Sequence, residues 1–302
     1  MEIPQSQYAP MGPFGLTSKE RREYAIKKRR EERDLQEKAL EKVSQLLKSK
    51  DGFVTLLNMQ SRFLEETARN CMLIYLQKPK ATLVKTVKEW EDLGGEVYFH
   101  DTHGKPNAIQ LFRRVETDET SHVKLVNVYD VTAVRGVPNQ AKSGADESER
   151  ALQEDAKKAL DGLSEIYIDV VEDKVFPGRV HYDNDDVVIT VGPVPAGCAE
   201  KHFHAVIRNV AAAWISWQMA KVVRDDGSGL RYISSEQEAE ALLAEYMVCS
   251  HLGLNVNNIR IGKAYQTLKD CDVDAFMERL HYAKRATQKI VRSIEEGKDG
   301  KE

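Results

Sequence analysis

Leu73-Ile74-Tyr75-Leu76-Gln77-Lys78-Pro79-Lys80-Ala81-Thr82 decides how the fold is read. An apolar helical pattern runs from about Phe53 to Gln77, and Pro79 stops it. Proline lacks the donor that a helix needs and disfavours the α conformation in the residue before it. A second helix is expected from about Ala81 to Leu93, closed by Gly94-Gly95, because glycine accepts the left-handed turn at a helix end. Strand-like runs follow over 96–99, 108–112 and 124–131, and the loop His103-Gly104-Lys105-Pro106-Asn107 joins the first two. Residues 51–134 therefore read as a small module of helices and strands.

Outward from this module, Asp51-Gly52 marks a break. Before it, Thr17 and Glu20 have capping-box spacing, so a helix is expected from there to about Lys48. Its first half is basic, with Arg21, Arg22, Lys27, Lys28, Arg29 and Arg30. Its second half spaces Leu35, Ala39, Val43 and Leu46 along one face. Residues 1–50 thus form a tail and an arm that docks by its C-terminal half and projects its basic half. The tail, 1–16, is rich in Pro and Gly and reads as disordered. Residues 135–150 read as a linker. The remainder, 151–302, opens with a helical stretch and has strands near 165–171 and 186–191. Helices are expected over about 199–223, 235–252 and 272–296. The fold class expected is α+β: a helical arm, a small α/β module, and a mostly helical domain with a small sheet.

Composition narrows the function. The chain has 302 residues and a net charge of −4. The first 50 residues carry a balance of +4 and the rest −8. A globally basic surface is excluded, so any nucleic-acid contact must be a local patch. The four cysteines form no CxxC pair, which points to reduced thiols and a cytoplasmic setting. Cys71 and Cys249 sit among apolar helical neighbours and read as buried. No secretory signal is expected at Met1–Ser6. No membrane span is expected either, since the most apolar stretch, 205–223, contains Arg208, Asn209, Gln218 and Lys221.

The local patch lies in the first module. Residues 52–90 hold six Lys/Arg and three acids. Lys78 and Lys80 flank Pro79 at a helix junction where a following helix would present spare N–H groups to phosphates. Single-strand binding asks for such cations together with aromatic faces. The candidate set is Arg62, Asn70, Tyr75, Gln77, Lys78, Lys80, Thr82, Lys85, Lys88 and Trp90. Tyr98 and Phe99 are further candidate stackers. Plain structural readings compete. Trp90 is in line with Leu83 and Val87, as a core residue would be. Asn70 and Gln77 share a helix face and could tie that helix to the sheet. Lys85 and Lys88 could be an ordinary solvated face.

Asn70, the run Gln77-Lys78-Pro79-Lys80-Ala81-Thr82, Trp90, Gly94 and Tyr129-Asp130-Val131 occur in an order and spacing that resembles the N-terminal domain of ArdC-type antirestriction proteins. The match covers about 80 residues. It departs at Asp101-Thr102-His103-Gly104-Lys105-Pro106, where a Gly-Glu-Lys-Gly-like turn is common in that family. The resemblance implies single-stranded DNA binding without strong sequence preference, in a mobile-element or antirestriction setting.

The same resemblance extends more loosely over the second half, where ArdC-type proteins carry a zinc-metallopeptidase-like domain. Such a site needs two His at i and i+4 on one helix, a Glu at i+1 as general base, and a later Glu as third ligand. The corresponding stretch here is His204-Ala205-Val206-Ile207-Arg208. Ala205 cannot move a proton, and Arg208 cannot ligate a metal. The later Glu aligns with Leu242 without a gap; Glu240 or Glu245 requires a shift. Cys198, His202 and His204 read as a helix start with surface histidines, and Trp214 and Trp217 as a core face. No cofactor and no catalysis are expected. The rival readings are a zinc metallopeptidase with a shifted ligand set, and a non-catalytic scaffold using the arm for a protein partner or self-association.

Overall fold

The computed structural model describes residues 17–116, 121–137, 148–166, 168–172, 179–183, 186–224 and 234–299. The tail 1–16 and most of the linker, 138–147, lie outside the described residues. The arm is helix α1, Ser18–Leu47, with the Thr17–Glu20 capping box formed. Residues 18–31 are all exposed, and Ala39, Val43 and Leu47 are buried. The break falls one turn earlier than expected: Ser49 caps α2, Lys50–Arg62, and Gly52 lies inside it. A side chain at Gly52 would collide with the Leu46 carbonyl, so glycine is what lets the end of α1 lie against the start of α2.

The expected helix 53–77 is two helices. Thr67 caps α3, Ala68–Gln77, after a turn at 63–67. The second expected helix, 81–93, is also shorter. The chain first runs extended as β1, Val84–Lys85, and Thr86 then caps the five-residue α4, Val87–Glu91. Strands β2 (Glu96–Val97), β3 (Ala108–Glu116), β4 (Ser121–Asp130) and β5 (Val134–Arg135) follow. They form an antiparallel sheet in the order β1-β4-β3 and a small β2-β5 pair.

The second half begins with α5, Glu149–Asp161. Strands β6 (Asp169–Glu172), β7 (Arg179–Asp183) and β8 (Asp186–Val191) make a mixed sheet in the order β6-β8-β7. Four helices complete it: α6, Ala199–Arg224; α7, Ser235–Leu252; α8, Ile261–Leu268; and α9, Val273–Asp299. The protein is thus α+β, as its sequence pattern implies. Helix α8 escapes the sequence reading because its eight residues give barely two turns of periodicity. Gly253, at φ +77°, closes α7 in the left-handed conformation that glycine accepts without strain.

Buried residues of both halves belong to one continuous core. Phe53 of α2 packs against Tyr265 of α8 and Phe276 of α9, with ring centroids 5.5 and 5.7 Å away. Polar ties cross the same junction: the Tyr246 hydroxyl donates to Asn58 Oδ1 at 2.8 Å, and the buried Lys284 Nζ donates to the Glu66 carbonyl at 2.9 Å. No described helix is long and apolar enough to cross a membrane.

Candidate functional site

Asn70 and Gln77 share one face of α3, and that face meets the outer edge of β3. Asn70 accepts from the Phe112 N–H at 3.0 Å and donates to the Phe112 carbonyl at 2.8 Å. Gln77 does the same with Gln110, at 2.9 and 3.1 Å. Antiparallel alternation turns the backbone of every second β3 residue outward, and these two amides complete that edge as a neighbouring strand would. Asn70 is buried and also donates to Glu66, which pairs with Arg113. Arg113 bonds Glu89 as well.

Two more of the sequence candidates are structural. Trp90 is fully buried, and its Nε1 donates to the Tyr129 carbonyl at 2.8 Å. With no ring face at the surface, it cannot stack on a base in this conformation, and the core reading replaces its place in the DNA-binding set. Lys78 caps the end of α3, donates to the Thr132 hydroxyl at 2.7 Å, and lies 3.5 Å from the buried Asp130 carboxylate. Asp130 also accepts from the Thr82 and Leu83 N–H groups. The expected N–H cradle at this junction is therefore corrected: no helix begins there, and a carboxylate of the protein already takes the Thr82 and Leu83 donors.

The remaining candidates divide between surfaces. Lys80, Thr82 and Lys88 are exposed. Tyr75 is half-buried, with Lys42 Nζ of the arm 5.5 Å from its ring centroid. The Arg62 guanidinium donates to the Ala81 carbonyl at 2.8 Å, holding the turn after Pro79. Arg62 and Lys85 line a cleft of about 1020 Å³ between the two halves.

The exposed aromatics lie elsewhere. Tyr98 is 44% and Phe99 53% exposed. Phe99 stands edge-on to Tyr129 at 5.6 Å, and the Arg135 guanidinium lies near the Tyr98 hydroxyl. The Tyr98 N–H donates to the Ala133 carbonyl, and the neighbouring Thr132 hydroxyl takes the Lys78 donor. A pinned turn borders them: Asp101 Oδ1 accepts from the His103 and Lys105 N–H groups at 2.8 Å each, and Gly104 has φ +75°. Alternation could not say which of 97–99 would face out; the strand ends at Val97, and both Tyr98 and Phe99 are exposed beyond it. Lys105 reads in the sequence only as part of the loop 103–107, and Arg135 as the start of the linker; the pairing of β5 with β2 brings Arg135 into the module instead.

In the second half, His204 and Arg208 stand one turn apart on α6 and face Glu245 of α7. His204 Nδ1 is 3.1 Å from Glu245 Oε1, and Arg208 Nε is 3.2 Å from Oε2. Glu245 and His204 are buried, as is His202, so the surface reading of these histidines is corrected. Burial pushes the His202 imidazole below its ordinary pKa. Of the three alignments left open for the later Glu, Glu245 is the one that reaches the pair. Cys249 Sγ lies 3.7 Å from His204 Nδ1. A metal ion does not fit: the guanidinium already neutralises the carboxylate that would ligate it. Among the described residues, no group of three or more His, Cys, Asp or Glu is arranged to hold a metal.

Two crystal structures are similar to this chain. Both are of the antirestriction ArdC protein from the R388 plasmid. The Mn(II)-bound form is 17% identical, over 75% of this chain and 84% of that one, with a TM-score of 0.41. The metal-free form is 17% identical, over 76% and 84%, with a TM-score of 0.39. No protein-family model and no curated protein sequence matches the chain.

Proposed function

We propose that the protein binds single-stranded DNA without strong sequence preference, on the Tyr98–Phe99 face of its first module, and does not hydrolyse peptides. The observation that carries this is two exposed rings, Tyr98 and Phe99, with the Arg135 guanidinium near the Tyr98 hydroxyl, in a module that also exposes Lys80 and Lys105. Rings of this kind stack on any base, and cations beside them follow the phosphates. The basic half of α1 adds a second cationic surface. The resemblance of the Asn70–Val131 pattern to ArdC-type proteins supports the same reading and implies the antirestriction setting. Ala205 offers no general base, and Arg208 stands where the resemblance places a ligand, so no peptide hydrolysis follows.

The test is fluorescence anisotropy of oligothymidylate at two salt concentrations. Phe99→Ala and Tyr98→Ala should each weaken binding by about 1–3 kcal/mol, the usual worth of one stacked base. Lys80→Glu should weaken it and flatten the salt dependence. Lys80 is the better probe than Lys78, because reversal at Lys78 would also leave buried Asp130 beside a like charge. Binding that ignores both rings would sink the proposal.

A further inference from the structure

We propose that the cleft between the β1 edge and α6 takes an extended polypeptide segment, a role separate from the Tyr98–Phe99 face. One wall is Leu83, Val84 and Lys85; the other carries Trp214, Trp217 and Gln218. The Val131 N–H donates to the Leu83 carbonyl, and residues 83 and 131 are opposite each other in the β1–β4 register. Antiparallel alternation then turns the Val84 N–H and carbonyl away from β4, toward the open edge. Neither group has a partner among the described residues. On the opposite wall, Trp214 Nε1 and Gln218 Oε1 are buried and without hydrogen-bond partners, a donor and an acceptor one helical turn apart.

An extended polypeptide offers alternating N–H and carbonyl groups on both of its edges, so one edge meets Val84 while the other meets the Trp214–Gln218 pair. The charge of the cleft favours this occupant over a polyphosphate. Six Lys/Arg and six Glu side chains line it, and Arg113, Lys289 and Arg292 are already paired with Glu66, Glu165 and Glu296. Such a wall repels a polyanion about as much as it attracts one.

The test pans random linear peptides displayed on phage against the immobilised full-length chain. Enriched peptides are then labelled and titrated by anisotropy. Trp214→Phe and Gln218→Leu should each weaken peptide binding about tenfold, and leave oligothymidylate binding unchanged. A readout on the unaltered protein accompanies them: saturating peptide should slow hydrogen exchange at the Val84 amide. Four results would overturn the inference: no enriched peptide, equal binding by both variants, unchanged Val84 exchange, or a matching loss of oligothymidylate binding. The last would put nucleic acid in the cleft.

Discussion

Asp130 is fully buried and yet favours its charged form. Burial alone would push its carboxyl up, but the Thr132 hydroxyl and the N–H groups of Thr82, Thr132 and Leu83 outweigh it and hold the pKa below the ordinary value. The sign follows from linkage. A depressed folded pKa gives stability that is whole above the unfolded value of about 4, and that is lost as pH falls through the folded value. Asp130→Asn should shrink that acid limb, and Asp130→Ala should cost about 3 kcal/mol, because the Thr82, Leu83 and Thr132 N–H groups lose their acceptor and Lys78 its partner. Urea melts across pH 2–7 check both. Arg208 is the parallel case in the second half. Arg208→Ala strands buried Glu245 and should cost about 3–5 kcal/mol. Arg208→His instead puts an imidazole one turn after His204, facing Glu245. That variant should gain cobalt or zinc, read by visible absorption and metal analysis; an empty variant would show that the α6–α7 spacing itself excludes a metal.

The arm illustrates what one element contributes. Contacts with the body begin around Leu35 and Ala39, so removing residues 1–30 should leave the melting midpoint unchanged and reduce the salt dependence of DNA binding. Removal of 1–50 would instead strip Ala39, Val43 and Leu47 from the core and confuse binding with folding. Between α7 and α9, Glu240 has its pKa pushed up to about 7 by burial, against the Arg279 guanidinium at 2.9 Å. A raised carboxyl pKa works opposite to Asp130: stability falls as pH rises from the unfolded value of about 4.3 to the folded one. Glu240→Gln should abolish that fall, on the order of 3 kcal/mol by pH 8, in thermal melts at stepped pH. Element boundaries were legible where a local signal sets them, as at Thr17, Gly253 and the ends of α7. They were not legible at 63–67 or 81–86. There, a turn and an extended segment are held by distant partners: Lys284 and Gln288 of α9 donating to the Glu66 and Leu64 carbonyls, and Asp130 to which the Thr82 N–H donates.

For the molecule as a whole, the sequence by itself determined the α+β class, the α1 cap and the strands of the first module. Each depends on neighbours within one or two turns of chain, where period, capping and proline chemistry act. It also supplied the Asn70–Gln77–Trp90–Asp130 pattern, but not what those residues do. Only tertiary structure decided that they are fasteners: Asn70 and Gln77 close β3, Trp90 seals the core under Tyr129, and Asp130 holds the 82–83 turn. Only tertiary structure brought Glu245 to His204 and Arg208, and set Val84 across a cleft from Trp214 and Gln218. The physical reason is the same in each case. A side chain's amide, carboxylate or ring has the same chemistry wherever it sits, and its role is fixed by which unpaired group the packing places within about 3 Å of it.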